Sequence, residues 1–85
     1  MLYIYDIVLK IIYIVSIATL NSTIRQLRLE ADMTQEDLAA RVGAVRQTVA
    51  YLERGDYMPS LALAWRIAAV FNKNIEEVFT FIDHE

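Results

Sequence analysis

The chain has 85 residues, no cysteine and a formal net charge of −3 at pH 7. Its length fits one small domain and excludes a second core or an ordinary catalytic cleft, and the lack of cysteine excludes disulfides, thiolate zinc sites and cysteine nucleophiles. Hydrophobic residues make up 56% of the chain, which predicts a compact helical protein, whereas its acidic charge excludes attachment to nucleic acid by bulk positive charge.

The first 20 residues, MLYIYDIVLKIIYIVSIATL, are far more apolar than the rest, and the composition changes at Asn21. We therefore predict an apolar N-terminal extension over residues 1–20, a domain over residues 21–82 and a tail over residues 83–85. Because the extension is rich in β-branched residues and tyrosines, it could be either a helix or a strand.

Several interpretations of this extension are open. As a membrane span it is poor, because Asp6 and Lys10 interrupt the roughly 20 apolar residues that a helix needs. As a signal peptide it lacks a basic start and a small-residue cleavage site. We favour an appendage that packs on the domain or on a second subunit, with Asp6 and Lys10 spaced to pair if it is helical. A translation start at Val15 or Leu20 would instead leave these residues without a function.

Helical periodicity begins after Asn21 and predicts five short helices. Asn21 or Ser22 caps the first helix, and Thr34 begins the second with an acid three residues later, as in a capping box. Gly43 and Gly55 end the second and third helices, because glycine tolerates positive φ.

Each predicted helix has an apolar stripe that faces inward, and Ser60 and Asn74 cap the last two helices. The inward residues are Ile24, Leu27 and Ala31 in the first helix, Leu38, Ala39 and Val42 in the second, Val45, Val49 and Leu52 in the third, Leu61, Leu63, Ala64, Ile67, Ala68 and Phe71 in the fourth, and Ile75, Val78, Phe79 and Ile82 in the fifth.

The second and third helices form a specific pattern. Ala39 lies where a larger side chain would hold two helices apart, Gly43 where the turn needs unusual backbone angles, and Val49 where the second helix of the pair enters the core. With Leu38, Val42 and Leu52 around them, this spacing resembles the helix-turn-helix of the XRE/Cro/phage-repressor family. The resemblance covers residues 21–80 and implies an all-α, five-helix domain similar to that of lambda repressor, with the apolar extension outside it.

The resemblance implies that the third helix, in GAVRQTVAYLERG at residues 43–55, lies in the major groove of double-stranded DNA. Arg46 and Gln47 stand at the main base-reading positions, and their side chains can bind guanine and adenine in bidentate fashion. Thr48 and Tyr51 are further candidates for base contacts, with solvated surface as the alternative.

Other site residues follow from the same resemblance. Thr34 and Gln35 are expected at a DNA phosphate near a helix N-terminus, although capping alone would explain Thr34. Arg54 is also expected at a phosphate, with pairing to the helix dipole as the alternative. Arg28 and Glu53 correspond to a structural ion pair that joins the first helix to the recognition helix.

The sequence also departs from the family pattern. Val45 stands where a serine or threonine usually caps the recognition helix, and Ala50 where serine is frequent. A missing cap costs about 1 kcal/mol of helix stability. Between Asn21 and Asn72 six arginines are matched by six acids, so nonspecific affinity for DNA should be low and a homodimer on two half-sites becomes more important.

Three other features are interpreted as structural. His84 is expected in a solvated tail, and Glu76 with Glu77 is expected to meet a helix dipole rather than to form a catalytic pair. Trp65 and Phe71 are expected in the core, with a partner-binding surface as the alternative. We expect no enzyme activity, cofactor or metal site.

The sequence therefore predicts a bacterial or phage-encoded, cytoplasmic, sequence-specific DNA-binding transcriptional regulator, a repressor that acts as a homodimer. One alternative is a protein-interaction module on the same fold that has lost DNA binding and takes a toxin or regulator as partner. Another is a regulator that the extension tethers to a membrane.

Overall fold

The computed structural model describes Ile7, Val8 and residues 18–83. The predictions for the remainder of the extension, including pairing of Asp6 with Lys10, and for His84 lie outside these residues. No helix within the described part of the chain is both long and apolar enough to cross a membrane.

Over residues 18–83 the elements are β1 (Ala18–Ser22), α1 (Ile24–Glu30), α2 (Gln35–Val42), α3 (Arg46–Arg54), α4 (Leu61–Val70), α5 (Ile75–Val78) and β2 (Phe79–Asp83).

The two strands form an antiparallel sheet, which corrects the all-α prediction. Their register runs from Ala18 opposite Asp83 to Ser22 opposite Phe79. The composition boundary at Asn21 lies inside β1, and Leu20 belongs to the buried core. The sheet therefore joins the beginning of the domain to its end.

The fifth predicted helix is shorter than expected. It ends at Val78, and Phe79 is already extended, with φ −120° and ψ 132°. Aromatic and β-branched residues at 79–82 suit a pleated sheet, and β1 supplies the hydrogen-bonding partner that an isolated sequence window lacks. The prediction that Phe79 and Ile82 continue the α5 helix was therefore wrong, although Phe79 is buried, as predicted.

The first helix begins one residue later than a cap at Ser22 predicts and two residues later than a cap at Asn21 predicts. Its N-cap is Thr23, since Asn21 and Ser22 are in the strand, and the Thr23 backbone N–H donates to the Val78 carbonyl at 2.9 Å. The Ser22 hydroxyl donates to the Leu52 carbonyl at 3.4 Å. Ala31, predicted to face inward, is an exposed C-cap residue.

Side chains from all five helices fill the core beneath the sheet. The largest fully buried ones are Ile24, Leu38, Val42, Val49, Leu52, Ile67 and Val78.

Two of the predicted core positions on α4 are instead at the surface. Leu61 is 76% exposed and Trp65 is 68% exposed, whereas Phe71 is half-buried. The sequence LALAWRIAAV is apolar almost all round, but a helix on a domain surface buries only one face. Here that face carries Leu63, Ala64, Ile67 and Ala68, which turns Leu61 and Trp65 outward.

Candidate nucleic-acid interface

Helices α2 and α3 form a compact pair joined by residues 43–45. Gly43 adopts the left-handed conformation, with φ +70°, and the next backbone N–H, from Ala44, donates to the Ala39 carbonyl at 2.9 Å. Ala39 is buried and Val49 is fully buried, and both belong to the same hydrophobic core. This packing holds α3 at a defined angle on the domain.

The buried and exposed faces of α3 are chemically different. Val49 and Leu52 face the core, while Thr48 and Ala50 are half-buried at the edge of the exposed face. The exposed side chains of the helix are Arg46, Gln47, Tyr51 and Arg54. The outer face of α3 thus offers two cations, an amide and a phenol on one rigid element.

Three of these exposed side chains are already in contact with one another. The Gln47 amide donates to the Tyr51 hydroxyl at 2.7 Å, and the Arg54 guanidinium lies 4.9 Å from the centre of the Tyr51 ring. Arg54 also pairs with Asp56 at 3.1 Å. Tyr51 therefore orients a hydrogen-bonding side chain on one side and a cation on the other.

Behind this face, Arg28 and Glu53 form a nearly buried bidentate ion pair. Arg28 Nε and Nη2 donate to the two Glu53 carboxylate oxygens at 2.8 and 3.1 Å, and Nη1 donates to the Met33 carbonyl at 2.9 Å. The hydrogen bonds that Arg28 donates to the Glu53 carboxylate raise the pKa of Arg28 more than burial lowers it. The pair ties α1 to α3.

Gln35 extends this network to the start of α2. Its side-chain amide donates to Glu53 Oε1 at 3.3 Å. An amide nitrogen carries two hydrogens, so the second hydrogen of Gln35 can still be donated to a ligand. Gln35 is half-buried, which places its amide at the boundary between the core network and the surface.

The start of α2 is closed by a reciprocal cap. The Thr34 hydroxyl accepts from the Asp37 backbone N–H at 3.0 Å, and the Thr34 backbone N–H donates to the Asp37 carboxylate at 2.9 Å. The Thr34 backbone N–H, and secondarily its hydroxyl, lower the pKa of Asp37. Thr34 thus has a capping role in the folded protein whether or not it also meets a phosphate.

Comparison with known proteins now decides the family. The sequence profile of a family described as helix-turn-helix matches residues 24–78, which runs from α1 to α5. The protein belongs to the Cro/C1-type helix-turn-helix family. This finding confirms the resemblance stated from the α2–α3 pattern.

Two relatives and one solved structure show how far this helix-turn-helix protein matches others. An uncharacterised HTH-type transcriptional regulator of Archaeoglobus fulgidus is 50% identical over 66 residues, covering 78% of this chain and 94% of the relative. One from Methanothermobacter thermautotrophicus is 51% identical over 61 residues, covering 71% and 88%. The crystal structure of the transcriptional regulator VanUg matches with a TM-score of 0.64 at 19% identity, covering 79% of this chain and 89% of that one.

In the helix-turn-helix protein, Val45 is the one apolar N-cap among the helices of residues 18–83. It is 64% exposed, so it does not join the buried stripe with Val49 and Leu52, and its side chain makes no capping hydrogen bond. By contrast, the Ser60 hydroxyl accepts from the Leu63 backbone N–H at 3.1 Å at the start of α4. The first turn of α3 therefore leaves backbone N–H groups directed to solvent or to a ligand.

Asp56 is a charged neighbour of the site that sequence reasoning did not assign. Its carboxylate pairs with Arg54, the predicted phosphate ligand, and both side chains are 60% exposed. The sequence signal for this pair is weak. An arginine at the end of a helix and an acid two residues later contact each other only when the chain turns directly after the helix. Here Gly55, with φ +79°, provides that turn.

Proposed function

We propose that the protein is a sequence-specific, noncatalytic DNA-binding transcriptional regulator that reads the major groove with α3, as a homodimer in the cytoplasm. Membership of the helix-turn-helix family and similarity to proteins named transcriptional regulators support the general function. The observation that carries the specific proposal is the exposed polar face of α3, on a helix whose other face is locked into the core.

Each side chain has a role in this proposal. Arg46 donates to guanine and Gln47 binds adenine, while Tyr51 holds the Gln47 amide and, with Thr48, meets the edge of the base pairs. Gln35, Thr34 and Arg54 meet phosphates, which position the protein without reading sequence. Each bidentate base contact is worth about 1–3 kcal/mol of discrimination against the wrong base.

The test is selection of bound sequences from a random duplex pool by the full chain. We expect a motif of two inverted half-sites about one helical turn apart, near 34–36 Å, because a two-fold dimer repeats its contacts at that spacing. The double substitution Arg46→Ala and Gln47→Ala should blur the preferred bases in each half-site. Enrichment of the same motif by this variant would refute base reading by α3.

A matched control is available in α1. Arg25 and Gln26 are the same two residue types in the same order, both exposed, on a helix that the proposal does not place in the groove. Arg25→Ala and Gln26→Ala together should leave the selected motif unchanged, since they remove the same charge and amide from another surface.

A second candidate function is a protein-interaction module that has lost DNA binding. It is favoured by the uncapped start of α3 at Val45 and by Asp56, which holds Arg54. Such a module would show no salt-sensitive duplex binding, and Arg46→Ala would leave its affinity for a partner unchanged.

Three finer points stay predictions: repressor action, a toxin as partner and a bacterial or phage origin. The membrane-tethered regulator has its own test. Recovery of the full chain in the soluble cell fraction would remove that alternative.

A further inference from the structure

Val45 exposes an apolar side chain at the start of α3. Its backbone is fixed to the helix, because the Val45 carbonyl accepts from the Thr48 and Val49 backbone N–H groups at 3.0 and 3.4 Å. Its side chain is 64% exposed and does not belong to the hydrophobic core, whereas the preceding Ala44 packs against that core. The backbone therefore holds Val45 in place while its two methyl groups stay accessible to a ligand.

The position of Val45 is next to the side chains that are proposed to read bases. Val45 directly precedes Arg46, the first residue of α3. Consecutive Cα atoms are about 3.8 Å apart, close to the rise of about 3.4 Å between base pairs. A recognition helix contacts base edges with its N-terminal residues. With α3 in the groove, Val45 thus reaches the base pair beside the one that Arg46 binds.

The chemistry of valine selects one group in that groove. Its side chain has neither a donor nor an acceptor, so it cannot bind a phosphate or the nitrogen and oxygen atoms of base edges. The apolar group that the major groove presents is the C5-methyl group of thymine, and apolar side chains contact it. 5-Methylcytosine carries the same group. The methyl groups of Val45 are therefore complementary to a pyrimidine with a C5-methyl group.

We infer that Val45 reads the C5-methyl group of a pyrimidine in the major groove. The inference deepens the proposed function and rests on it, because it requires α3 in the groove. It adds an apolar contact to the polar contacts of Arg46 and Gln47. A serine at this position would offer a hydroxyl instead, so the departure of this chain from the family pattern changes which group of the DNA is read.

The size of the expected effect follows from the burial of one methyl group. Replacing thymine by uracil removes this group and keeps the O4 acceptor, so the polar contacts of α3 are unaffected. The affinity for a half-site should fall about fourfold, the factor that burial of one such group supplies.

The test uses the duplex motif that the full chain selects. Each thymine of a half-site is replaced in turn by uracil, and the affinities of the wild type and of Val45→Ala are measured. We expect one thymine, beside the base pair that depends on Arg46, at which uracil weakens the wild type about fourfold and leaves Val45→Ala unchanged. With cytosine at that position, 5-methylation should recover the same factor for the wild type alone, which separates the methyl group from the rest of the thymine.

Leu61→Ala is the matched control. Leu61 is 76% exposed on α4, so this variant also loses accessible apolar groups, but outside the proposed interface. It should keep the ratio of affinities of the wild type for thymine and uracil. Thr48→Ser removes the methyl group of a half-buried neighbour on α3, and circular dichroism checks that every variant is folded. A uracil effect that disappears in Thr48→Ser and persists in Val45→Ala would overturn the inference.

The same duplexes separate this inference from the proposed function. If the selected motif blurs in the double variant Arg46→Ala and Gln47→Ala, but Val45→Ala keeps the uracil effect, the inference fails while DNA recognition stands. A motif without a uracil-sensitive thymine beside the Arg46 base pair has the same meaning. If the wild type enriches no duplex, the proposed function fails and the inference fails with it.

Discussion

Among the individual side chains, Glu53 connects the three helices that form the candidate site. It accepts two hydrogen bonds from Arg28 and one from Gln35, and so connects α1, α2 and α3. The Arg28 and Glu53 side chains are only 10% and 7% exposed. Removing one partner of such a pair leaves the other charge buried without compensation.

We therefore expect Glu53→Ala to lower the free energy of unfolding by about 3–5 kcal/mol, a large share of the 5–15 kcal/mol typical of a domain. Urea denaturation measures this loss. Glu76→Ala is a control, because Glu76 is exposed and contributes no ion pair within the described residues. A loss below about 1 kcal/mol would show that the pair behaves like an exposed one.

Under the proposed function, Asp56 would compete with a DNA phosphate for Arg54, since the Arg54 and Asp56 side chains pair at 3.1 Å in the free protein. Asp56→Asn should strengthen duplex binding and increase the salt slope of log affinity by up to about 1, the amount for one released phosphate contact. In the double variant with Arg54→Ala this gain should vanish. A gain that persists without Arg54 would mean that Asp56 acts only through the overall charge.

Among the helices of residues 18–83, α3 is the one that begins at an apolar N-cap. Val45 has the extended backbone of an N-cap, with φ −102° and ψ 157°, but no oxygen to accept a backbone N–H. Val45→Thr keeps the shape of the side chain and adds that oxygen. It should raise the free energy of unfolding by about 1 kcal/mol, measured by urea denaturation, and Val45→Ala should not. No gain with threonine would mean that solvent already satisfies this turn.

Helix α2, in contrast, has a capped start, and its capping box depends on an ionised Asp37. A pKa that is lower in the folded state adds stability above the ordinary aspartate pKa of about 3.9, and this stability is lost as the pH falls through the lowered pKa. Asp37→Asn should therefore be less stable than the wild type at neutral pH, with the difference disappearing in acid.

Thermal unfolding between pH 2 and 7 measures this difference. Glu36→Gln is the control, since Glu36 is an exposed acid in the same turn and does not belong to the capping box. A difference between Asp37→Asn and the wild type that is the same at every pH would contradict a role for the carboxylate charge.

For the molecule as a whole, the sheet between β1 and β2 closes the domain. Phe79 and Phe81 lie on the same strand and the same face, but Phe79 is 8% exposed and Phe81 is 61% exposed. Phe79→Ala should cost about 3–5 kcal/mol of unfolding free energy, as in other cores, while Phe81→Ala should cost little. Similar losses for both would mean that the outer half of the sheet is also covered in the native protein.

Sequence patterns within single segments predicted much of the secondary structure of this protein. Capping signals at Thr34 and Ser60, the glycines at 43 and 55, and the 3.6-residue stripes of α2 and α3 depend on neighbours within one turn or one helix, so the sequence predicts them well. The ion pair of Arg28 with Glu53 was anticipated from the family pattern. Local chemistry was therefore sufficient for α2, α3 and the turn that joins them.

Features that depend on distant contacts could not be predicted in this way. Residues 79–83 form a strand because β1, about 60 positions earlier in the chain, presents its open hydrogen-bonding edge. Leu61 and Trp65 point outward because the core was already filled by the opposite face of α4. The Arg54–Asp56 pair required the turn at Gly55. Hydrophobic periodicity indicates which residues can be buried. Because the interior volume is limited, only the packing between elements decides which of these residues are in fact buried.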